Sequence, residues 1–293
     1  LHTPGALPTA LRRGLNAVDR PYRAGPFFLL MPMNVQGASV AGFNLDELPA
    51  GAPPRLAAAR DDGAYDRAVD TILAARRVVV RVGGGARDAG FEIEDFVGLA
   101  DAVAITSPLV SGVLPYHHPR NLGVAGSKGS SCGNFAQENA DLVVVVGSRS
   151  VCQSDSSRTA YRPSLGFVAI NADPDDALHY GRTIPLVGDA ASTLRVLNKR
   201  LLTRLQATPR PPGRSAWLAE CTEAKAAWEA FKAERYAKAT LHDDLWGGPV
   251  LTQPAALKVA TDWARANDVV SFFDAGDVQA NGFQVVEDDR IGR

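Results

Sequence analysis

The chain has 293 residues, enough for about two ordinary domains. Hydrophobic residues make up 46% of it and charged residues 22%, a globular composition that excludes a disordered or collagen-like chain. Lys and Arg number 31 against 32 Asp and Glu, so the net charge is −1. This balance argues against nucleic acid or an anionic membrane as the main partner, because both select a basic surface.

The sequence carries no pattern typical of membrane insertion or export. No apolar run approaches the roughly 20 residues needed to span a bilayer, and the first residues do not form a signal peptide. Cys132, Cys152 and Cys221 form no Cys-x-x-Cys pair, which argues against a zinc cage and against a disulfide framework. We therefore expect a cytoplasmic protein with neither a membrane nor a nucleic acid among its partners.

The start and the end of the sequence each resemble a piece of a domain. Apolar residues at helical spacing predict a helix in the stretch that ends at Val18, and the run 27–31 predicts a buried strand. The run 269–273 predicts another buried strand near the end. Since one helix and one strand cannot enclose a core, we expect a fragment or one subunit of a split enzyme.

The middle of the chain alternates between apolar runs and helical stretches. The runs predict parallel strands at 78–82, 102–105, 142–146 and 167–170, and the stretches predict helices at 64–75, 88–100, 132–140 and 190–204. This pattern predicts an α/β fold with a doubly wound parallel sheet. Ligands bind such sheets at the carboxyl ends of the strands, where the sequence places Gly83, Gly84, Gly85, Gly126, Gly129 and Gly147.

An amphipathic helix is predicted after a proline-rich connector at 207–213. Its apolar stripe has spacings of three and four residues and consists of Trp217, Cys221, Ala224, Trp228 and Phe231. The stripe is expected either to pack on a domain of the same chain or to bind a partner.

Two glycine-rich loops are candidates for phosphate binding. Gly83, Gly84 and Gly85 lie between a predicted strand and a predicted helix, where backbone amides can face an anion. The alternative is a tight structural connection, because the motif is not Gly-x-Gly-x-x-Gly and lacks an acidic ribose partner. For the loop 126–131 the alternative is a helix cap by Ser130 or Ser131. Asp173 and Pro174 predict another helix start.

Other reactive residue types are present but form no recognisable set. His117 and His118 are adjacent, so they cannot share a helix face as metal ligands, and we expect a surface pair. Cys132 and Cys152 have no base nearby in the sequence and are expected to be core residues rather than nucleophiles. Arg149 suits either a clamp for a carboxylate or phosphate or a structural ion pair. No catalytic residue and no metal ligand is assigned.

Seven segments together resemble the thiamine-diphosphate-dependent enzymes of the acetolactate-synthase-like group. They are, in chain order, 24–36, 77–90 (RVVVRVGGGARDAG), 107–126, 140–149 (ADLVVVVGSR), 170–176, 185–197 (PLVGDAASTLRVL) and 251–279. Within that superfamily, the segment 147–157 (GSRSVCQSDSS) is more similar to trihydroxycyclohexanedione hydrolases than to acetolactate synthases.

The resemblance implies a domain order, with partial α/β thiamine-diphosphate-binding domains at both ends. It assigns 1–36 to the end of a pyrimidine-binding domain, 37–62 to a linker, 63–205 to a complete central domain of the FAD- or ADP-binding type, 206–248 to a linker and amphipathic helix, and 249–293 to the start of a diphosphate-binding domain.

The resemblance also implies thiamine diphosphate and Mg²⁺ as cofactors. Ala275, Gly276, Asp277 and Val278 would line the diphosphate, the alternative being an ordinary strand-to-helix turn. In flavin-bearing relatives, FAD contacts the positions that match Gly83, Gly84, Gly85 and Arg149. In other relatives the same loop binds ADP or nothing. The resemblance therefore does not decide whether this chain binds FAD. The ylide-promoting glutamate would lie before Leu1 and the Gly-Asp-Gly metal motif after Arg293, so we expect residues 1–293 alone to be inactive.

The implied reaction cleaves or forms a C–C bond next to a carbonyl group. The substrate would be a small molecule, either a 2-oxoacid or a cyclic 1,2-diketone. The implied assembly is a homodimer or homotetramer, or a pair with a complementary chain that supplies the missing residues. A non-catalytic module that binds FAD or another nucleotide is the competing prediction.

Overall fold

The computed structural model describes residues 1–20, 24–50, 56–157, 159–207 and 214–291. The chain divides into two compact units, 1–56 and 57–293. The helices of the described residues are α1 (Leu7–Val18), α2 (Met33–Gln36), α3 (Asp62–Ala74), α4 (Gly90–Leu99), α5 (Ser131–Asn139), α6 (Pro174–Ala177), α7 (Ala190–Ala207), α8 (Arg214–Ala237), α9 (Gln253–Ala266) and α10 (Asp277–Val285). The strands are β1 (Val78–Val82), β2 (Val103–Thr106), β3 (Asn121–Val124), β4 (Leu142–Val146), β5 (Gly166–Asn171), β6 (Thr183–Val187), β7 (Thr240–Asp243) and β8 (Gly248–Leu251).

The first unit contains α1 and α2. The predicted helix ending at Val18 is confirmed, and the ring of Phe27 packs where a Cβ on Gly14 would lie, 2.5 Å from Cδ1. The predicted strand at 27–31 is wrong, because no described segment pairs with it. An apolar run needs a neighbouring strand to satisfy its amides and carbonyls, and here Phe28 stays 83% exposed.

The second unit is built on a six-stranded parallel sheet in the order β3-β2-β1-β4-β5-β6. This arrangement confirms the α/β, doubly wound prediction. The predicted strands correspond to β1, β2, β4 and β5, and the predicted helices between them correspond to α3, α4, α5 and α7. The order reverses between β1 and β4, which pair in register from Val78 opposite Leu142 to Val82 opposite Val146.

Helices cover both faces of this sheet. Val78, Val80 and Val82 pack in a core shared with α3, α4 and α7. Val79 belongs to a second core, shared with α5 and α8. Because both faces are covered, the central strands are continuous apolar runs rather than alternating ones.

Helix α8 packs its apolar stripe against the second core. Trp217, Cys221 and Trp228 are buried, whereas Phe231 is 45% exposed. At its start, the buried Arg214 donates hydrogen bonds to the carbonyls of Ile72, Ala75 and Ala100, which lie at the ends of α3 and α4. The expectation that the stripe packs within the chain is confirmed, while most of the preceding connector, 208–213, lies outside the described residues.

A hairpin, α9 and α10 follow α8. The antiparallel pair β7–β8 turns at Gly247, whose φ of +64° a glycine adopts without strain. The predicted strand at 269–273 is wrong: the segment has no paired neighbour among the described residues, and Phe272 is 91% exposed. Phe273 instead packs on Gly282 of α10.

The assignment of the flanking segments to particular domains stays a prediction. In the described part of the chain, no helix has both the length and the apolar character needed to cross a membrane.

Candidate functional site

The reversal of strand order between β1 and β4 marks the ligand crevice of a doubly wound sheet. The three-glycine loop follows β1, and Gly147, Ser148 and Arg149 follow β4. The side chain of Asn171, at the end of β5, donates to the carbonyl of Ser148 at 3.0 Å. Three strand ends therefore meet at one edge of the sheet, as the sequence predicted for these glycines.

The glycine loop and the turn after β4 are in close contact. The amide of Gly83 donates to the carbonyl of Val146 at 2.8 Å, and that of Gly85 donates to the carbonyl of Gly147 at 2.9 Å. A Cβ on Gly83 would lie 2.4 Å from the Cα of Ser148. Two of the three amides are thus used inside the protein, which favours the structural role of a tight connection for them.

Gly84, Gly85 and Arg149 are the exposed members of the predicted nucleotide contacts, and the amide of Gly85 is already bonded to Gly147. A Cβ on Gly84 would meet only the Cδ1 atom of Leu109, at 3.6 Å. Arg149 lies between Ser148 and Ser150, which are buried. A nucleotide phosphate at this edge would therefore meet Gly84 and Arg149 rather than a ring of free amides.

Backbone amides of the second glycine-rich loop, 126–131, are bonded to other parts of the protein. The Gly126 amide donates to the Asn134 side chain at 2.8 Å, and the Ser127 amide donates to the Gln153 carbonyl at 2.9 Å. Ser130 accepts from the Gly133 amide at 3.0 Å. This confirms Ser130 as the cap of α5 and leaves these amides unavailable to a phosphate. Asp173 caps α6 in the same way, with Pro174 at its first position.

The segment 275–278 forms the start of α10. Gly276 has a φ of +102°, and no heavy atom lies within 4 Å of the place where its Cβ would be. All four residues are exposed. The first amides of a helix have no partner in the preceding turn and point outward, so they form an anion-binding surface. The predicted strand is absent before this turn, but the helix start is where the sequence predicted it.

Two carboxylates lie beside these amides. Asp274 accepts a hydrogen bond from the Ala275 amide at 2.7 Å, so that amide is already engaged. Asp277 is the first residue of α10, where a negative charge stabilises the helix dipole but would repel a phosphate. The open backbone therefore fits a diphosphate at Gly276 and Val278, provided that the Asp277 side chain points away.

The described residues do not assemble a metal centre: they contain no group of three His, Cys, Asp or Glu side chains that could hold a metal ion. His117 is exposed and lies 3.0 Å from Asp289, whereas His118 is partly buried, and burial lowers its pKa. The expectation of a surface position is thus confirmed for His117 and wrong for His118.

The cysteines do not form a nucleophilic site. Cys132 and Cys221 are buried, and burial raises the pKa of both thiols, that of Cys221 to about 12. Cys152 is exposed rather than part of the core as expected, because it lies in the loop that follows β4.

The sequence analysis missed a polar cluster between α8, α9 and the segment after α10. Lys232 is buried, and its Nζ lies 3.1 Å from both Glu229 and Glu287. Lys258 and Arg265 of α9 approach the same Glu287 carboxylate at 3.4 and 3.5 Å. Burial favours the protonated form of Glu287, but Lys232 and Lys258 outweigh it, and its pKa falls below the ordinary value.

A cavity of about 20 Å³ adjoins this cluster and is lined by residues that include Tyr116, Lys225 and Trp228. It has room for about one water molecule. The cluster and its cavity are therefore a packing feature and not a substrate pocket. Lys232 and Glu287 are 55 residues apart, and no local pattern reveals such a pair.

Residues 65–197 match the family model for the central domain of thiamine pyrophosphate enzymes. Acetolactate synthase isozyme 1 large subunit from Escherichia coli (strain K12) is 30% identical over 182 residues, which cover 56% of this chain and 32% of that protein. The 3D-(3,5/4)-trihydroxycyclohexane-1,2-dione hydrolase from Lacticaseibacillus casei is 26% identical over 224 residues, 75% of this chain and 35% of that protein. The hydrolase of the same name from Clostridium perfringens is 24% identical, over 78% of this chain and 35% of that protein. The matched part of the chain thus spans about a third of the length of these relatives.

Proposed function

Given that the chain belongs to the thiamine-diphosphate-dependent enzyme superfamily, we propose that it is part of an enzyme that cleaves or forms a C–C bond next to a carbonyl group. The observation that carries the proposal is the family match at 65–197, which includes all six strands of the parallel sheet. The reaction would be that of a lyase, a carboligase or a C–C hydrolase.

Two substrate classes are proposed because the relatives fall in two groups. Acetolactate synthase isozyme 1 has the higher identity, whereas the hydrolase from L. casei aligns with a larger share of this chain, 75% against 56%. A 2-oxoacid corresponds to the first group and a cyclic 1,2-diketone to the second.

Thiamine diphosphate would supply a carbon nucleophile and an electron sink for this chemistry. This chain would contribute by holding the diphosphate end. We propose that Ala275, Gly276, Asp277 and Val278 line it, with the α10 amides as donors. Gly276 lets the backbone approach the anion because it has no Cβ. Mg²⁺ would be expected beside a diphosphate, but the described residues offer no ligand set for it, and we assign it no residue.

We propose a second candidate site, for a nucleotide, in the crevice at the ends of β1 and β4. Gly84 and Arg149 would be its exposed contacts, with Gly83 and Gly85 shaping the loop. A non-catalytic module that binds FAD or another nucleotide remains the alternative. An absorbance scan from about 300 to 500 nm, combined with a titration of thiamine diphosphate, separates the two, because the flavin-binding module predicts a flavin spectrum without binding of thiamine diphosphate. A flavin spectrum together with binding of thiamine diphosphate would favour the acetolactate-synthase group.

We propose a homodimer or homotetramer, the alternative being a pair with a complementary chain. The described residues include no assigned catalytic acid or base and no metal site, and in the second arrangement the complementary chain would supply them.

The diphosphate assignment is tested by equilibrium binding of thiamine diphosphate to the intact protein, followed by tryptophan fluorescence. We expect Gly276→Ala to weaken binding at least tenfold, because the new methyl group occupies the approach to the backbone and strains a φ of +102°. Gly247→Ala is the matched control, since Gly247 also has positive φ and open space around it. Equal affinities for the Gly276→Ala and unchanged proteins would refute the assignment.

A further inference from the structure

Arg81 is a buried cation in the middle of the parallel sheet. It lies in β1 between Val80 and Val82, and its register partners are Ile105 of β2 and Val145 of β4. The alternation of a strand directs its side chain to the same face as Val79, toward the core shared with α5 and α8. Arg81 is only 2% exposed.

The guanidinium group of Arg81 is only partly satisfied. Its Nη1 atom donates to the carbonyl of Ala125 at 3.0 Å. Its Nε and Nη2 atoms are buried and have no hydrogen-bond partner among the described residues. Native proteins rarely leave buried donors of a charged group unpaired, because such a group has lost its hydration without replacement.

The buried carboxylate of Asp155 already has other partners. Asp155 is buried, accepts a hydrogen bond from the Tyr180 hydroxyl at 2.8 Å, and lies 3.9 Å from Nε2 of His179. Within the described ranges, Arg81 forms no ion pair with it or with any other acidic residue at 4.0 Å or less. The positive charge thus has no direct counter-ion among the residues that the structure describes.

The two unpaired donors are the pair that can act together. Nε and Nη2 lie on one edge of the planar guanidinium, and their N–H bonds run parallel. This edge matches the spacing of two oxygens of a carboxylate or a phosphate, which it binds through two charge-assisted hydrogen bonds. A water molecule would satisfy the donors but would leave the charge uncompensated.

We propose that the Nε–Nη2 edge of Arg81 binds a small oxyanion, a carboxylate or a phosphate group, on the face of the sheet that α5 and α8 cover. The segment after β4 contacts the loop that holds the Arg81 partner, since the Gln153 carbonyl accepts from the amide of Ser127, two residues beyond Ala125. The proposal does not rest on the thiamine-dependent activity. It assigns an anion site to residues that neither the 275–278 turn nor the glycine loop uses.

The test is thermal unfolding of the full chain at constant ionic strength, with inorganic phosphate and acetate added in separate titrations. An anion at a hundredfold excess over its Kd is expected to raise the midpoint by roughly 5–10 °C. A rise with phosphate alone, or with acetate alone, identifies the group that binds. Arg81→Met is expected to abolish the rise, and Arg162→Met, which changes an exposed arginine, is expected to keep it.

No rise with either anion, or an equal rise in Arg81→Met and the unchanged protein, would overturn the proposal and leave water as the partner of the two donors. If Arg81→Met does not fold, Arg81→Lys replaces the paired donors by a single ammonium group. Calorimetric titration should then show at least a tenfold weaker affinity for the same anion, and an unchanged affinity would overturn the proposal.

Discussion

Gly83 and Gly84 are neighbours in the sequence but have opposite surroundings. Gly83 is pressed against the backbone of Ser148, whereas Gly84 faces open space and only the far end of the Leu109 side chain. The sequence presents three equivalent glycines, and only the packing of two loops distinguishes them.

Gly83→Ala is expected to lower the free energy of unfolding by about 3 kcal/mol, because its Cβ must displace backbone atoms of the turn after β4. Gly84→Ala, the matched control, is expected to change it by less than about 0.5 kcal/mol. Urea denaturation of the two variants measures both values. Equal values would show that the loop packing described for Gly83 is wrong.

The surroundings of Arg81 could not be predicted from the sequence. One arginine stands in a run of valines that otherwise predicts a strand buried on both faces. The exception is visible, but the residue order alone does not show whether the charge is paired, exposed or left with free donors. That question depends on which carbonyls and carboxylates the neighbouring strands and loops bring near.

Among the elements, the central strands could be predicted and the edge strands could not. β1, β2, β4 and β5 lie inside the sheet and are continuous apolar runs. β3 and β6 are the edges, where burial is demanded less: β3 contains Asn121 and Gly123, and β6 contains Pro185. Proline has no N–H to donate, and it is tolerated at an edge because no further strand there requires that hydrogen bond.

The same reasoning explains the two strands that were wrongly predicted. The runs 27–31 and 269–273 have strand composition, but neither has a neighbour to pair with in the described part of the chain. Composition predicts that a segment can be a strand, whereas pairing decides whether it is one.

The contact between α8, α9 and the segment after α10 depends on Glu287. Replacing it with Gln removes one of the two carboxylates beside the buried Lys232 and leaves only Glu229. We expect Glu287→Gln to cost about 2 kcal/mol of unfolding free energy at neutral pH. Glu234→Gln is the control, since Glu234 and Lys238 form an exposed pair on α8 that contributes little.

The stability conferred by Glu287 depends on pH in a defined direction. Its pKa in the folded chain lies below the ordinary 4.5, so its contribution is complete above that value and is lost as pH falls through the folded pKa. Unfolding curves at neutral and acidic pH should therefore show the difference between the Glu287→Gln and unchanged proteins shrinking with acid. A difference that stays constant would contradict the ion-pair description.

At the scale of the whole molecule, family resemblance and geometry contribute different things. The order of seven loosely matched segments identified the superfamily, which the family match at 65–197 confirms. The turn at 275–278 was located through the family resemblance, and in the structure it lies at the start of α10. The sequence could not show that Asp274 already occupies the Ala275 amide, because that depends on side-chain orientation.

The central claim is that this chain works as part of a thiamine-diphosphate-dependent enzyme. The most direct test is to isolate the protein from its source, denature it with acid, and quantify the released cofactor by oxidation to fluorescent thiochrome. We expect about one equivalent of thiamine diphosphate for each chain, or rapid uptake to that level when the cofactor is added. A protein that neither contains nor takes up thiamine diphosphate, or that carries flavin in its place, would contradict the proposed function and favour the nucleotide-binding module.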